Sequence, residues 1–348
     1  MLSRLCRATS LFATALFITL ASAHAAAPAY KYFRIGSPQD SVTRPQSGFA
    51  LMGGGTDLYE AFRWLCERAR GGDFLILRAT GGNDYNPYVV GLEGGALCKL
   101  NSVATLILPS REAANDPFVA QTIAYAEAIF IAGGDQANYA RNWTNTPVQR
   151  EINAAIARGV PVGGTSAGLA VMGEWAYSAE GDKPSDPNLS GKEALMHPFS
   201  QRITLAHGFL KISILSGIIT DSHFAKRDRM GRLLVFLVRL SEPDGQPVTP
   251  NPPSAVRGIG IEEGAAVLVE PDGHSKVIGA GGAYFLESNN KGLIPERGAP
   301  LQLSEITVQK VAPGHSFDLK SWNGDASCYS LNVRNGAIES TQSGGRVY

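Results

Sequence analysis

An α/β fold with a largely parallel sheet flanked by helices is predicted by three features of this 348-residue sequence. Short apolar runs alternate with stretches of helical periodicity, the pattern of βαβ units. The runs are apolar throughout, as in strands covered on both faces. Gly-rich turns stand at 53–55, 133–136 and 163–168, each just past an apolar run. A parallel sheet gathers its ligand-binding loops at those carboxyl ends.

The chain begins with Arg4 and Arg7, an apolar run from Leu11 to Leu20, and Ala23-His24-Ala25. This predicts a secretory signal peptide over 1–25 and a secreted or periplasmic protein. The run is short of the roughly 20 residues a membrane span needs. Residues 26–348 are then a single catalytic α/β domain. Cleavage removes two of the 31 basic residues and none of the 31 acids. The small acidic excess left gives no electrostatic case for nucleic acid. Cys66, Cys98 and Cys328 remain after Cys6 leaves. An odd number leaves at least one thiol unpaired within the chain. An oxidising compartment permits a disulfide. The cysteines are expected to be buried and structural, and no C-x-x-C spacing suggests a metal.

Residues 26–46 read as irregular. Phe49 to Met52 is a strand, Thr56 an N-cap, and Leu58, Ala61, Phe62 and Leu65 the inner face of a helix. Asp73 to Leu77 is a strand leading into a Gly/Asn/Pro-rich loop, Gly81 to Gly95. Val103 to Leu108 and Ala128 to Ile131 are strands, with a helix between them at about Asp116 to Ala126. Gln149 to Arg158 is helical. Ile214 to Thr220 is a strand followed by a basic helix carrying Lys226, Arg227, Arg229 and Arg232. Ser241 to Ser254 is a Pro-rich loop. Val256 to Glu263, Ala265 to Glu270, Ser275 to Gly279 and Gly282 to Glu287 are strands, and Glu305 to Gln309 is a further one.

The turn Gly164-Thr165-Ser166-Ala167-Gly168 follows Val160-Pro161-Val162 and precedes Leu169-Ala170-Val171-Met172. A strand, a tight turn and a helix would present Ser166 at the apex, a G-x-S-x-G nucleophile elbow. A serine hydroxyl needs a base. Of six histidines, His223 alone lies just past a buried strand at the same sheet edge. A carboxylate must fix its tautomer. Glu263 is favoured, with Glu262 close behind. Backbone amides free of side-chain bulk would hold an oxyanion. Those of Ala167 and of the 53–55 turn, Gly54 at its centre, are the candidates.

In order, Gly-Gly-Asp-Gln at 133–136, Gly-Thr-Ser-Ala-Gly at 164–168 and Asp-x-His-Phe-x-x-Arg-x-Arg-x-x-Arg at 221–232 resemble the cyanophycinase family. The wider group is the serine peptidases related to dipeptidase E, with a glutamine-amidotransferase-like three-layer fold. Gly258-Ile259-Gly260-Ile261-Glu262-Glu263 is similar to the family's later strand motif. The resemblance spans about 49–287 and implies hydrolysis through Ser166, His223 and a Glu at 262–263. It also implies Gln136, Asp221, Arg227, Arg229 and Arg232 near the substrate, a polyaspartate chain bearing arginine, cleaved to β-Asp-Arg dipeptides. The chain departs from the family at Ser222, where the family has Gln, in the 241–254 insertion and beyond 288. That extension is open to being a strand pair, a lid or an oligomer contact, a homodimer included.

No metal or organic cofactor is needed for such chemistry, and no membrane contact is expected once the leader is gone. Rival readings are a dipeptidase-E-like enzyme for Asp-X peptides, a G-x-S-x-G esterase and an inactive binding protein. Esterases of that type order the triad Ser, acid, His, whereas His223 here precedes the glutamates.

Overall fold

The computed structural model describes residues 27–91, 98–183, 185–186, 188–241, 256–287 and 297–348. The predicted leader, most of the Pro-rich 241–254 loop and residues 92–95 of the Gly81–Gly95 loop lie outside them.

The strands form two sheets. The larger sheet runs Lys31–Gly36, Ser102–Ile107, Asp73–Arg78, Ala128–Ile131, Val162–Thr165, Phe49–Met52, Ala265–Val269, His274–Gly279, Ser316–Asp318, Asn323–Gly324. Its centre, from Ser102–Ile107 across to Phe49–Met52, is parallel. The second sheet runs Ala337–Ser340, Ser327–Arg334, Leu303–Val311, Ala283–Glu287, Arg257–Ile261, Ile218–Asp221, Trp175–Tyr177, Leu205–His207. In it only Arg257–Ile261 with Ile218–Asp221, and Ile218–Asp221 with Trp175–Tyr177, pair in parallel.

The expectation of a largely parallel sheet therefore needs correction. The fold is mixed α/β, and both sheets are partly antiparallel. The reason is local. Strand Ala265–Val269 meets His274–Gly279 in the larger sheet, and Ser327–Arg334 meets Ala337–Ser340 in the second, through short turns. A turn of a few residues can only reverse the chain, whereas a parallel pair needs a long crossover.

Alternate residues of the central strands enter different cores. Leu51 packs with Leu75, Ile129 and Val162, and with Ile259 and Phe285 of the second sheet. Ala50 and Met52 face Phe62, Leu65 and Phe74 instead. The second sheet's outer face, with Ile219 and Tyr284, packs on Leu233, Val235 and Leu237 of helix Met230–Ser241. Burial on both faces explains why these strands are continuously apolar.

Several boundaries shift. Residues 26–46 contain the edge strand Lys31–Gly36, and the Gly81–Gly95 loop contains helix Tyr85–Gly91. The helix expected behind Thr56 begins at Tyr59 with Leu58 at the cap position. The strand expected from Ile214 begins at Ile218, and the helix carrying the arginines begins only at Met230. Cys66 and Cys98 form a disulfide, whereas Cys328 is free and exposed, against the expectation that it is buried. Beyond 297 the chain adds Leu303–Val311, Ser327–Arg334 and Ala337–Ser340 to the second sheet, and Ser316–Asp318 and Asn323–Gly324 to the larger one. Its last residue, Tyr348, packs edge-on against Phe224 and Tyr284.

Candidate active site

The parallel centre of the larger sheet delivers Ser166. Strand Val162–Thr165 ends there and a short helix, Ala167–Ala170, begins one residue later. Ser166 joins them with φ 54° and ψ −112°, a conformation that L-residues rarely adopt. Such strain persists only where surroundings impose it. Here Ser166 N–H donates to the Met52 carbonyl at 3.2 Å, and Ala170 N–H to the Ser166 carbonyl at 3.0 Å.

His223 comes from the second sheet, just past Ile218–Asp221. Its backbone also has positive φ, 48°, and its N–H donates to the Gly53 carbonyl at 2.7 Å. Nε2 of His223 lies 2.7 Å from Ser166 Oγ, and Nδ1 lies 2.7 Å from Glu263 Oε1. With Nδ1 protonated toward the carboxylate, Nε2 is the free acceptor for the serine proton. Burial holds the imidazole below its ordinary range. The Glu263 hydrogen bond pulls it back up, while Arg227 and Arg229 push it further down. Glu263 is held below the usual carboxylate range, chiefly by the His223 hydrogen bond. The base is therefore neutral near pH 7.

Glu262 is engaged elsewhere. Its Oε1 accepts from the Tyr284 hydroxyl at 2.6 Å and its Oε2 from Gly282 N–H at 2.7 Å.

A cavity of about 230 Å³ opens in front of Ser166, lined among others by Gly134, Gln136, Tyr177, Arg227 and Arg229. Gln136 reaches the Tyr177 carbonyl at 3.4 Å. Ala167 directly follows the serine, and its N–H stands at the start of the helix, where backbone donors have no intrahelical partner. Gly54 is placed differently from expectation. It is buried against the imidazole, where a Cβ would fall 2.5 Å from His223 Cε1, and it does not line the cavity. Gly54 thus makes room for the base. Gly133 and Gly134 take the other side: a Cβ on Gly133 would meet Ser166 Cβ at 3.4 Å.

The arginines divide. Arg232 is 3% exposed and grips Asp221 through Nε at 2.7 Å and Nη2 at 2.5 Å. Asp221 does not line the cavity, so this pair is part of the cavity's support, not a free substrate contact. Arg229 donates to the Ser222 carbonyl at 2.8 Å and approaches Asp221 at 3.4 Å. Burial, with Arg232 adding to it, lowers its guanidinium to about 10. Arg227 is exposed at the rim.

Sequence reasoning missed Gly134, Tyr177, Asp182 and Asn188 in the wall. Gly134 was legible in the Gly133–Gln136 turn. Asp182 and Asn188 lie in a segment with no periodicity or motif, and only the folded chain brings them to the cavity.

The relay Ser166–His223–Glu263 has the geometry of a serine hydrolase. Residues 79–199 match the family model of Peptidase family S51. The chain is 30% identical over 200 residues to the cyanophycinase of Geminocystis herdmanii, covering 56% of this chain and 63% of that protein. It is 29% identical over 222 residues to the cyanophycinase of Trichormus variabilis, covering 62% and 65%. It thus spans less than two thirds of the length of these relatives. The crystal structure of a peptidase from an acI-B1 Actinobacterium shares the fold, with TM-score 0.50 and 19% identity over 79% of this chain and 98% of that one. The family match and the cyanophycinase similarity support a serine-type peptidase.

Proposed function

We propose that the protein is an exported serine peptidase that cleaves cyanophycin, or similar Asp-rich peptides, through an acyl-enzyme on Ser166. The observation that carries this reading is the unbroken relay from Ser166 Oγ through both ring nitrogens of His223 to Glu263.

His223 Nε2 takes the Ser166 proton as Oγ attacks the scissile carbonyl. The tetrahedral oxyanion is met by Ala167 N–H and Gly134 N–H. Tyr139 supports the choice of Gly134. Its hydroxyl hydrogen-bonds the Ala132 carbonyl at 2.8 Å and the Gly133 carbonyl at 3.3 Å. The peptides are trans, so the N–H of Gly134 points away from that hydroxyl. His223 then protonates the leaving amine, and the acyl chain remains as an ester on Oγ. Water gives a proton to Nε2, attacks the ester and releases the acid, and His223 returns the proton to Ser166. Oxyanion donors typically contribute about 10²–10³ in kcat each.

The substrate class rests on the resemblance to cyanophycinases and on the guanidinium-rich wall, since arginine forks match carboxylates. Export rests on the leader pattern and is supported by the Cys66–Cys98 disulfide, a bond that persists in oxidising compartments. Among the described residues no helix is long and apolar enough to cross a membrane. A homodimer fits the same reading.

The test is product analysis of cyanophycin incubated with the wild type and with Ser166→Ala. Release of β-Asp-Arg by the wild type, abolished in the variant, supports the proposal. Full release by Ser166→Ala rejects the mechanism. Cleavage of Asp-Ala in preference to cyanophycin assigns the dipeptidase reading. Ester turnover without peptide cleavage assigns the esterase reading. Failure of a fluorophosphonate to label Ser166 points to an inactive binding protein. Finding the mature chain in a periplasmic extract or in spent medium, and not in the cytosol, tests export.

A further inference from the structure

Three guanidiniums, Arg227, Arg229 and Arg232, line the cavity in front of Ser166, and the carboxylate set against them is Asp221. Arg232 takes both of its oxygens. Arg229 reaches Asp221 only at 3.4 Å. Among the described residues Arg227 has no carboxylate within ion-pair distance. The other acids of the cavity wall pair away from Arg227 and Arg229: Asp182 Oδ1 with Arg202 at 3.1 Å, its Oδ2 being buried without a hydrogen-bond partner among the described residues, and Asp135 with the N–H of Ala137 at 2.9 Å, where it caps a helix.

What the two under-compensated guanidiniums share is Asn188. Its Oδ1 accepts from Arg227 Nη1 at 3.3 Å and from Arg229 Nη2 at 3.3 Å. Both bonds are long for a charged donor, which normally closes to about 2.7–2.9 Å on an ionised acceptor. Asn188 is exposed, at the mouth of the cavity. A neutral amide oxygen thus sits where two cations converge. It can satisfy their hydrogen-bonding directions but cannot neutralise them.

We propose that the Asn188 amide oxygen holds the place of a substrate carboxylate, and that such a carboxylate displaces it to bridge Arg227 and Arg229. This deepens the function proposed above and rests on it for the location of the scissile bond, though not for the anion site itself. Asn188 is then a specificity-determining residue. Being neutral, it yields to an anionic ligand. An aspartate at the same position would be a built-in competitor, neutralising the pair from within the chain.

The experiment is calorimetric titration of the full-length mature protein with succinate, a plain dicarboxylate, beside hydrolysis assays on the same samples. Wild type should bind succinate. Asn188→Asp should bind it at least tenfold more weakly, and Asn188→Ala as tightly or tighter, since the competing oxygen is gone. In hydrolysis, Asn188→Asp should raise KM for acidic peptides with a smaller change in kcat. Three outcomes overturn the proposal: no succinate binding by wild type, equal binding by Asn188→Asp, or an Asn188→Ala variant as weak as Asn188→Asp. The last would make Asn188 a direct ligand. If Asn188→Asp does not fold, judged by its thermal melt, the Asn188→Ala comparison still decides the sign. Succinate binding that follows this pattern in a protein that hydrolyses no peptide would retain the anion site and reject the peptidase reading.

Discussion

Glu262 and Glu263 are neighbours in sequence yet serve opposite sides of the strand end that carries them. Glu263 Oε1 lies 2.7 Å from His223 Nδ1, while Glu262 Oε1 accepts from Tyr284 at 2.6 Å. The strand ends at Ile261, and Glu263 lies in the turn that leads to Ala265–Val269, so the turn aims the two carboxylates at different partners and only Glu263 meets the imidazole. Glu263→Gln should cut kcat on the order of 10³-fold or more, because an amide can favour the wrong tautomer. Glu262→Gln should leave kcat within a few-fold and cost about 1–2 kcal/mol of stability. Steady-state kinetics and denaturant melts of the two variants check this. Equal kinetic loss in both would contradict the assignment.

The pH profile should have an acid limb below the ordinary histidine value of about 6.5. Burial, with Arg227 and Arg229 adding to it, depresses His223. Only the neutral ring accepts the serine proton, so activity falls as pH drops through that depressed value. Arg227→Ala removes a cation that disfavours imidazolium, and its acid limb should move to higher pH. A limb unmoved by Arg227→Ala would refute the coupling.

Asp221 and Arg232 form a buried pair, and removing one partner of such a pair typically costs about 3–5 kcal/mol. Asp221→Asn should therefore lower the denaturation midpoint sharply. Arg227→Ala, at an exposed position, should change stability by no more than about 0.5 kcal/mol while raising KM for acidic substrates. If Asp221→Asn were as stable as wild type and altered only KM, Asp221 would be a substrate ligand after all.

The relay and the parallel centre were legible because each has a local signature. Ser166 sits in a glycine-flanked turn behind an apolar run, and His223 is the one histidine just past a buried strand. The choice between Glu262 and Glu263 was not fully legible, since either could end that strand. The role of Gly54 was not legible for a similar reason. A triple-glycine turn serves an oxyanion hole or a close-packed imidazole equally well, and only the position of the ring decides. The antiparallel outer strands were read as strands, but partner and direction are set by tertiary contacts. The basic segment at 226–232 looked helical by its charges. In fact Arg227 and Arg229 lie in the turn before Met230, and this brings them to the cavity.

Far from the site, burial pushes Glu127 up to about 7, although its Oε2 accepts from Asp73 N–H at 2.7 Å. Unfolded, the same carboxyl titrates near 4.3. A folded value above the unfolded one means stability is fullest below about pH 4.3. That stability is lost as pH rises through 7. Glu127→Gln stays neutral and keeps an oxygen for Asp73. The melting temperature of wild type should fall relative to Glu127→Gln between pH 4.5 and 7.5. Parallel curves would show that Glu127 titrates normally.

Tyr348 ties the end of the second sheet to the segment between His223 and helix Met230–Ser241. Its hydroxyl accepts from Met230 N–H at 2.8 Å and donates to Asp228 Oδ1 at 2.9 Å. Asp228 lies between the two cavity arginines and has φ 47°, a strained turn that needs outside support. The tail is therefore a brace under the Arg227–Arg229 turn. Tyr348→Phe keeps the ring on Phe224 and Tyr284 but leaves Met230 N–H without its acceptor, a loss of about 1–3 kcal/mol. Because the loosened segment carries the guanidiniums, KM for acidic peptides should rise several-fold while kcat changes less. The relay contacts of His223, to Gly53, Ser166 and Glu263, do not pass through Tyr348. A fall in kcat at constant KM would show that the brace acts on the imidazole instead.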